Sequence, residues 1–188
     1  MSLLKITGDL SDNFKKILTI CKLQILYDII IFLSRCCMSD YDAYTKILTK
    51  SVNHIFKKFL DDHAISEVYE SQAGEKDPQV AIEIKGTLEG EVVINMPQKT
   101  LTQISRKFIG DPNAKISKNM SADVAGELAN LITGTFANLM QYAEHDLILS
   151  PPEFNDDPIS IKALYDNVNM SFVSSFGGFD IDFYYRDN

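Results

Sequence analysis

From Asp40 to Leu60 apolar residues recur at helical spacing: Ile47, Leu48, Val52, Ile55, Phe56, Phe59 and Leu60. That pattern predicts an amphipathic helix with one face on a core. After Asp61-Asp62 the period shortens. A short strand is expected over Ser66 to Glu70, and Val80 to Lys85 alternates. Glu91 to Asn95 follows, and the two runs read as a hairpin turning around Gly86 to Gly90. Pro97 then opens a helix over Leu101, Ile104 and Phe108, which Gly110-Asp111-Pro112 stops. A second long helix is expected after Asn119-Met120-Ser121, running to about Ala143, with Ser121 as N-cap and Asp123 near the positive end of the dipole. Strand signals return at Leu147 to Leu149, break at Pro151-Pro152 and resume at Ile159 to Ala163. Asn169 to Ser174 and Phe179 to Tyr185 flank Gly177-Gly178 as a final hairpin.

Helix-then-hairpin therefore occurs twice. The long helices align without a gap at an offset of 77 residues, which sets Lys46, Lys50, Asn53 and Lys57 against Asp123, Glu127, Asn130 and Gly134. The glycine-containing hairpins correspond as well, Glu89-Gly90 against Gly177-Gly178. The expected fold class is α+β: a pseudo-symmetric domain, born of an internal duplication, with two long helices packed on an antiparallel sheet.

Composition narrows the function. The chain has 188 residues, of which 45% are hydrophobic, enough for a sizeable core. A net charge of −8 argues against nucleic acid as a partner. Cys21, Cys36 and Cys37 form no CxxC pair, and His54, His63 and His145 are scattered. Neither a disulfide framework nor a resident metal is expected, and a reducing, cytoplasmic location fits best.

The first 37 residues stand apart. The run Ile17 to Cys37 is apolar but carries Lys22, Gln24, Asp28 and Arg35, so no uninterrupted stretch approaches the ~20 residues of a membrane span. It also lacks a signal-peptide cleavage site. Three readings stay open for it: an extra amphipathic helix, a docking extension, or a segment upstream of a translation start at Met38. The expected domain occupies residues 38–188, with 1–37 as an extension of unknown role.

On a helical wheel Asp123, Glu127, Asn130, Gly134, Asn138 and Gln141 share one arc, with Val124, Leu128, Leu131, Ile132 and Leu139 on the far side. With the apolar side on the sheet, the polar arc faces outward, and Glu127 and Asn130 are surface neighbours at i and i+3. A solvated helix face is the plain alternative. It is disfavoured because the arc is rich in short amides rather than Lys and Arg, and because Gly134 costs up to about 1 kcal/mol against Ala in mid-helix. A glycine there makes sense if another surface must approach the backbone.

The segment Asp123-Val-Ala-Gly-Glu127-Leu-Ala-Asn130-Leu-Ile-Thr-Gly134 resembles the signature of the CheC/CheX/FliY chemotaxis phosphatases. That signature has an acidic or Ser residue, then Glu four positions later, Asn three after that, and a more distant Pro. Asp123, Glu127 and Asn130 match, and Pro152 stands one position short of the usual spacing. The hairpin Gly86 to Pro97 and the helix after it also resemble CheX. Some family members carry a Glu/Asn pair on both long helices. Here the first helix keeps Asn53 but has Lys50 in place of Glu, with Lys46 and Lys57 beside it, which is the single-site CheX pattern. The resemblance implies hydrolysis of the phospho-aspartate of a CheY-like response regulator. Asn130 would position the attacking water, Glu127 would pair with a regulator lysine, and Asp123 and Gly134 would contact the regulator. It implies no cofactor of the protein's own, Mg²⁺ carried by the regulator, and a homodimer. The alternative is a non-catalytic, flagellar-switch-like module that binds phospho-CheY.

Overall fold

The helical pattern beginning near Asp40 forms α1 (Asp40–Phe59) in a computed structural model that describes residues 40–74, 76–155 and 165–187. The chain divides into two compact units, Met1–Asp42 and Ala43–Asn188. All but the first three residues of α1, and every other element, belong to the second. The run Ile17 to Cys37, the three cysteines, Met38 and the expected strand at Ile159 to Ala163 lie outside the described residues. None of the described helices is long and apolar enough to cross a membrane.

Tyr44, Leu48, Val52, Ile55 and Phe56 bury the apolar face of α1. Phe56 stacks on Phe179 at 5.0 Å, and Tyr44 meets Phe183 and Tyr185 edge-on. Offset-stacked and edge-to-face rings are the geometry the aromatic quadrupole favours. Phe59 breaks the pattern. It is the last helical residue and is 57% exposed, while Leu60 turns inward and its amide donates to the Phe56 carbonyl.

The strands are β1 (Ser66–Val68), β2 (Gln79–Gly86), β3 (Leu88–Asn95), β4 (Leu147–Leu149), β5 (Glu153–Asn155), β6 (Asp166–Ser174) and β7 (Gly177–Asp187). They form one antiparallel sheet in the order β1-β6-β7-β3-β2-β4, with β5 also paired to β2. The late hairpin β6–β7 thus carries the early strand β1 on its outer edge, and the early hairpin β2–β3 carries the late strand β4. Period-two burial gives the sheet two faces. Ile82, Ile84, Val92, Ile94, Phe179, Ile181 and Phe183 point into the core, whereas Glu83, Glu91, Asp182 and Tyr184 alternate with them.

The first hairpin turns inside the expected span Gly86 to Gly90, whereas the second turns two residues before the Gly177-Gly178 pair expected to bend it. The first turns at Thr87, and Glu89-Gly90 lies inside β3. A side chain at Gly90 would bring Cβ to 2.4 Å from the Tyr184 carbonyl oxygen, so this glycine admits a neighbouring strand rather than bending the chain. The second turns at Ser175-Phe176, and Gly177-Gly178 opens β7.

Helix α2 (Gln98–Ile109) follows Pro97 and stops at Gly110, whose φ of 77° is left-handed and whose amide donates to the Arg106 and Lys107 carbonyls. This is a glycine C-cap. Helix α3 (Lys118–Gln141) lies against α2, β2, β4 and β5.

Candidate functional site

Helix α3 begins a turn earlier than the sequence pattern suggested. Ser117 is its N-cap: its extended backbone (φ −80°, ψ 164°) lets Oγ accept from the Met120 amide at 3.2 Å. Ser121, the residue expected there, is instead buried inside the helix. The early start brings Lys118, Asn119 and Met120 onto the helix.

The two sides of α3 separate by burial as the wheel requires. Ala125, Leu128, Ala129, Ile132, Phe136 and Met140 are buried in the core, and Val124 and Leu131 pack half-buried at its edge. Asp123, Glu127, Asn130, Asn138 and Gln141 are exposed, and Gly134 is half-buried. Glu127 stands about 6 Å along the axis from Asp123 and about 4.5 Å from Asn130, at 1.5 Å rise per residue. All three side chains project from one stretch of helix surface. None of them has a hydrogen-bond or ion-pair partner among the described residues.

The two glycines of this helix behave oppositely. A Cβ on Gly134 would meet nothing within 4 Å among the described residues, so their packing does not require glycine at that position. A Cβ on Gly126 would stand 3.3 Å from Pro152 Cγ. Pro152, between β4 and β5, therefore lies over the backbone of α3 at Gly126, one helical turn before Asn130. The loosely spaced proline of the sequence signature is physically attached to the helix that carries the Glu and Asn. Gly126 was not singled out from the sequence; a second mid-helix glycine, off the polar arc, was the signal for it.

At the corresponding positions of α1 the arrangement differs. Lys46, Lys50 and Lys57 are exposed, and Asn53 is half-buried. The Asn53 amide donates to the Thr49 carbonyl at 3.0 Å, so its donor is turned back on its own helix.

Residues 78–163 match the family model of the chemotaxis phosphatase CheX. The matched stretch runs from β2 through α2 and α3 to beyond β5, so it contains Asp123, Glu127, Asn130, Gly134 and Pro152. The resemblance to the CheC/CheX/FliY proteins therefore holds, and the fold is CheC-like. CheX from Vibrio vulnificus is 16% identical with a TM-score of 0.63, over 79% of this chain and 100% of that one. The CheX-CheY-BeF3-Mg complex from Borrelia burgdorferi matches at 16% identity and a TM-score of 0.65, over 77% and 98%. A chemotactic CheC-like protein from Shewanella oneidensis is 21% identical with a TM-score of 0.60, over 76% and 97%. No curated protein is matched in sequence.

Proposed function

We propose that the protein is a CheX-type phosphatase that removes phosphate from the phospho-aspartate of a CheY-like response regulator. The observation that carries this reading is the outward row of Asp123, Glu127 and Asn130 on one helix face, exposed and without partners among the described residues. The CheX family match across that helix, and the likeness to a CheX solved in complex with CheY, support it.

An acyl phosphate is already reactive, so the helper needs to contribute little beyond position. The substrate brings its own Mg²⁺, its lysine and the aspartate leaving group. Asn130 Oδ1 accepts a hydrogen bond from a water and aligns it with phosphorus. The water oxygen forms the new P–O bond, the bond to the aspartate oxygen breaks, and inorganic phosphate and a free carboxylate result. Glu127 pairs with the regulator's lysine and holds the helix in the regulator's pocket, while Asp123 and Gly134 line the contact. Neither Glu127 nor Asn130 forms a covalent intermediate. A cytoplasmic homodimer is part of the same proposal, and sedimentation of the purified protein tests its dimeric part.

The deciding experiment follows phosphate loss from each CheY-like regulator of the same cell, with Mg²⁺, in the presence and absence of the protein. Faster loss from at least one regulator is expected. If every regulator binds or fails to bind without faster loss, the enzyme reading is wrong, and binding alone would favour the non-catalytic, switch-like module.

A further inference from the structure

Because α3 starts at Lys118, Met120 belongs to the helix and falls beside the polar arc rather than in a loop. Met120 is 36% exposed. It is followed at helical spacing by Val124, Glu127 and Leu131, which places the first, second and fourth of these on one flank of the arc, about 100° per residue. Val124 and Leu131 are half-buried, so each keeps part of its apolar surface at the edge of the polar row. The other flank differs: Gly126 lies under Pro152, and Ala137 is buried. The polar row thus has an apolar margin on one side and a closed shoulder on the other.

The same positions of α1 share only the middle residue of this margin. At the offset of 77 residues, Met120 corresponds to Ala43, Val124 to Ile47 and Leu131 to His54. Ala43 and Ile47 are half-buried, and His54 is exposed. An exposed methionine and a half-exposed leucine therefore occur on the helix that also carries Asp123, Glu127 and Asn130, and not on its Lys-rich counterpart. A general need to cover the sheet would not produce that difference, since both helices cover it.

We infer that the Met120–Val124–Leu131 margin is the part of the docking surface that selects the regulator, by seating apolar side chains on the rim of the regulator's phosphorylation pocket. The inference rests on the phosphatase reading, and its occupant is the same CheY-like regulator. The polar row recognises what all such pockets share, a lysine and a phosphoryl group. Those groups cannot tell one regulator from another. An unbranched, adaptable thioether beside a leucine can, because apolar complementarity depends on the particular side chains it meets.

The test uses the full chain and the regulator whose dephosphorylation it accelerates. Met120→Glu is the main variant, since Met120 is exposed on the helix surface, and a thermal melt excludes unfolding. KM for the phosphorylated regulator is expected to rise about tenfold with kcat within about twofold, the signature of lost uniform binding. Met120→Leu, which keeps the apolar area, should restore KM toward the wild-type value. Leu131→Gln should raise KM in the same way, with a thermal melt to exclude unfolding. Affinity for the BeF3-loaded, Mg²⁺-bound regulator, measured by calorimetry, should fall by the same factor as KM rises. An unchanged KM and affinity in Met120→Glu would overturn the inference while leaving the phosphatase reading intact. Failure of the wild-type protein to hydrolyse any regulator would overturn the phosphatase reading instead; tight binding that Met120→Glu abolishes would still support the margin.

Discussion

The two long helices both pack against the one sheet and present opposite chemistry. Each buries an apolar face: Tyr44, Leu48, Val52, Ile55 and Phe56 on α1, and Leu128, Ile132, Phe136 and Met140 on α3. At positions 77 residues apart, α3 exposes Asp123, Glu127 and Asn130, while α1 exposes Lys46 and Lys50 and keeps Asn53 half-buried. The amides differ most. Asn53 donates to the Thr49 carbonyl, whereas Asn130 has no partner among the described residues. The difference teaches that the fold tolerates either chemistry. What faces the sheet sets the architecture, and what faces outward is free to become a site or to stop being one.

The largest effect that could break this comparison is catalytic. Asn130→Ala should lower the rate of regulator dephosphorylation by on the order of 10²–10³, the cost of losing one positioned polar group. Asn53→Ala should leave that rate nearly unchanged. Single-turnover phosphate release on folded variants measures both. Equal losses in the two variants would mean that the Lys46/Lys50/Lys57 face is a second working surface.

Glu127→Ala should act mainly on binding. Removing one partner of a desolvated charge pair at an interface typically costs about 2 kcal/mol or more, so affinity for the activated regulator is expected to fall at least about 30-fold. Calorimetric titration reads this directly. Lys50→Ala on the opposite helix should leave affinity unchanged.

Gly134→Ala sharpens the comparison through a difference in sign. A Cβ there meets nothing within 4 Å among the described residues, so replacing glycine in mid-helix should raise stability by up to about 1 kcal/mol. Regulator affinity should fall at the same time, because the partner loses access to the backbone. A variant that is more stable and binds equally well would remove Gly134 from the docking surface.

The smallest effect is expected on the sheet face that alternates with the core. Burial, then the charges of Asp182 and Glu91, push the Tyr184 phenol up to about 12. An unfolded tyrosine loses its proton near pH 10, so the folded state holds that proton more tightly between pH 10 and 12. The contribution of Tyr184 to stability is therefore present below pH 10 and lost as the pH rises toward 12. Tyr184→Phe should flatten this part of the pH dependence, seen in urea midpoints at pH 9 and pH 11.5. Hydrolysis at neutral pH should not change, since Tyr184 lies on neither helix face.

Residue order along the chain determined the elements themselves, because a period of 3.6 or 2 is a local property. It was enough to separate the apolar side of α3 from Asp123, Glu127, Asn130 and Gly134, and to set α1 against α3. Several things depended on contacts that the period of a pattern does not specify, most of them between distant segments. Ser117 rather than Ser121 caps α3 because its hydroxyl is the one that reaches the Met120 amide. Gly90 belongs to a strand because the Tyr184 carbonyl needs the space. The three-residue strands β1 and β4 were legible in the residues, but β5 was not, and it exists as a strand only through pairing with β2. The contact of Pro152 with Gly126, and the exposed position of Met120 beside the polar row, follow from the same cause. Periodicity says which way a side chain points along its own element; which neighbour fills the space it points into is decided only when the elements pack.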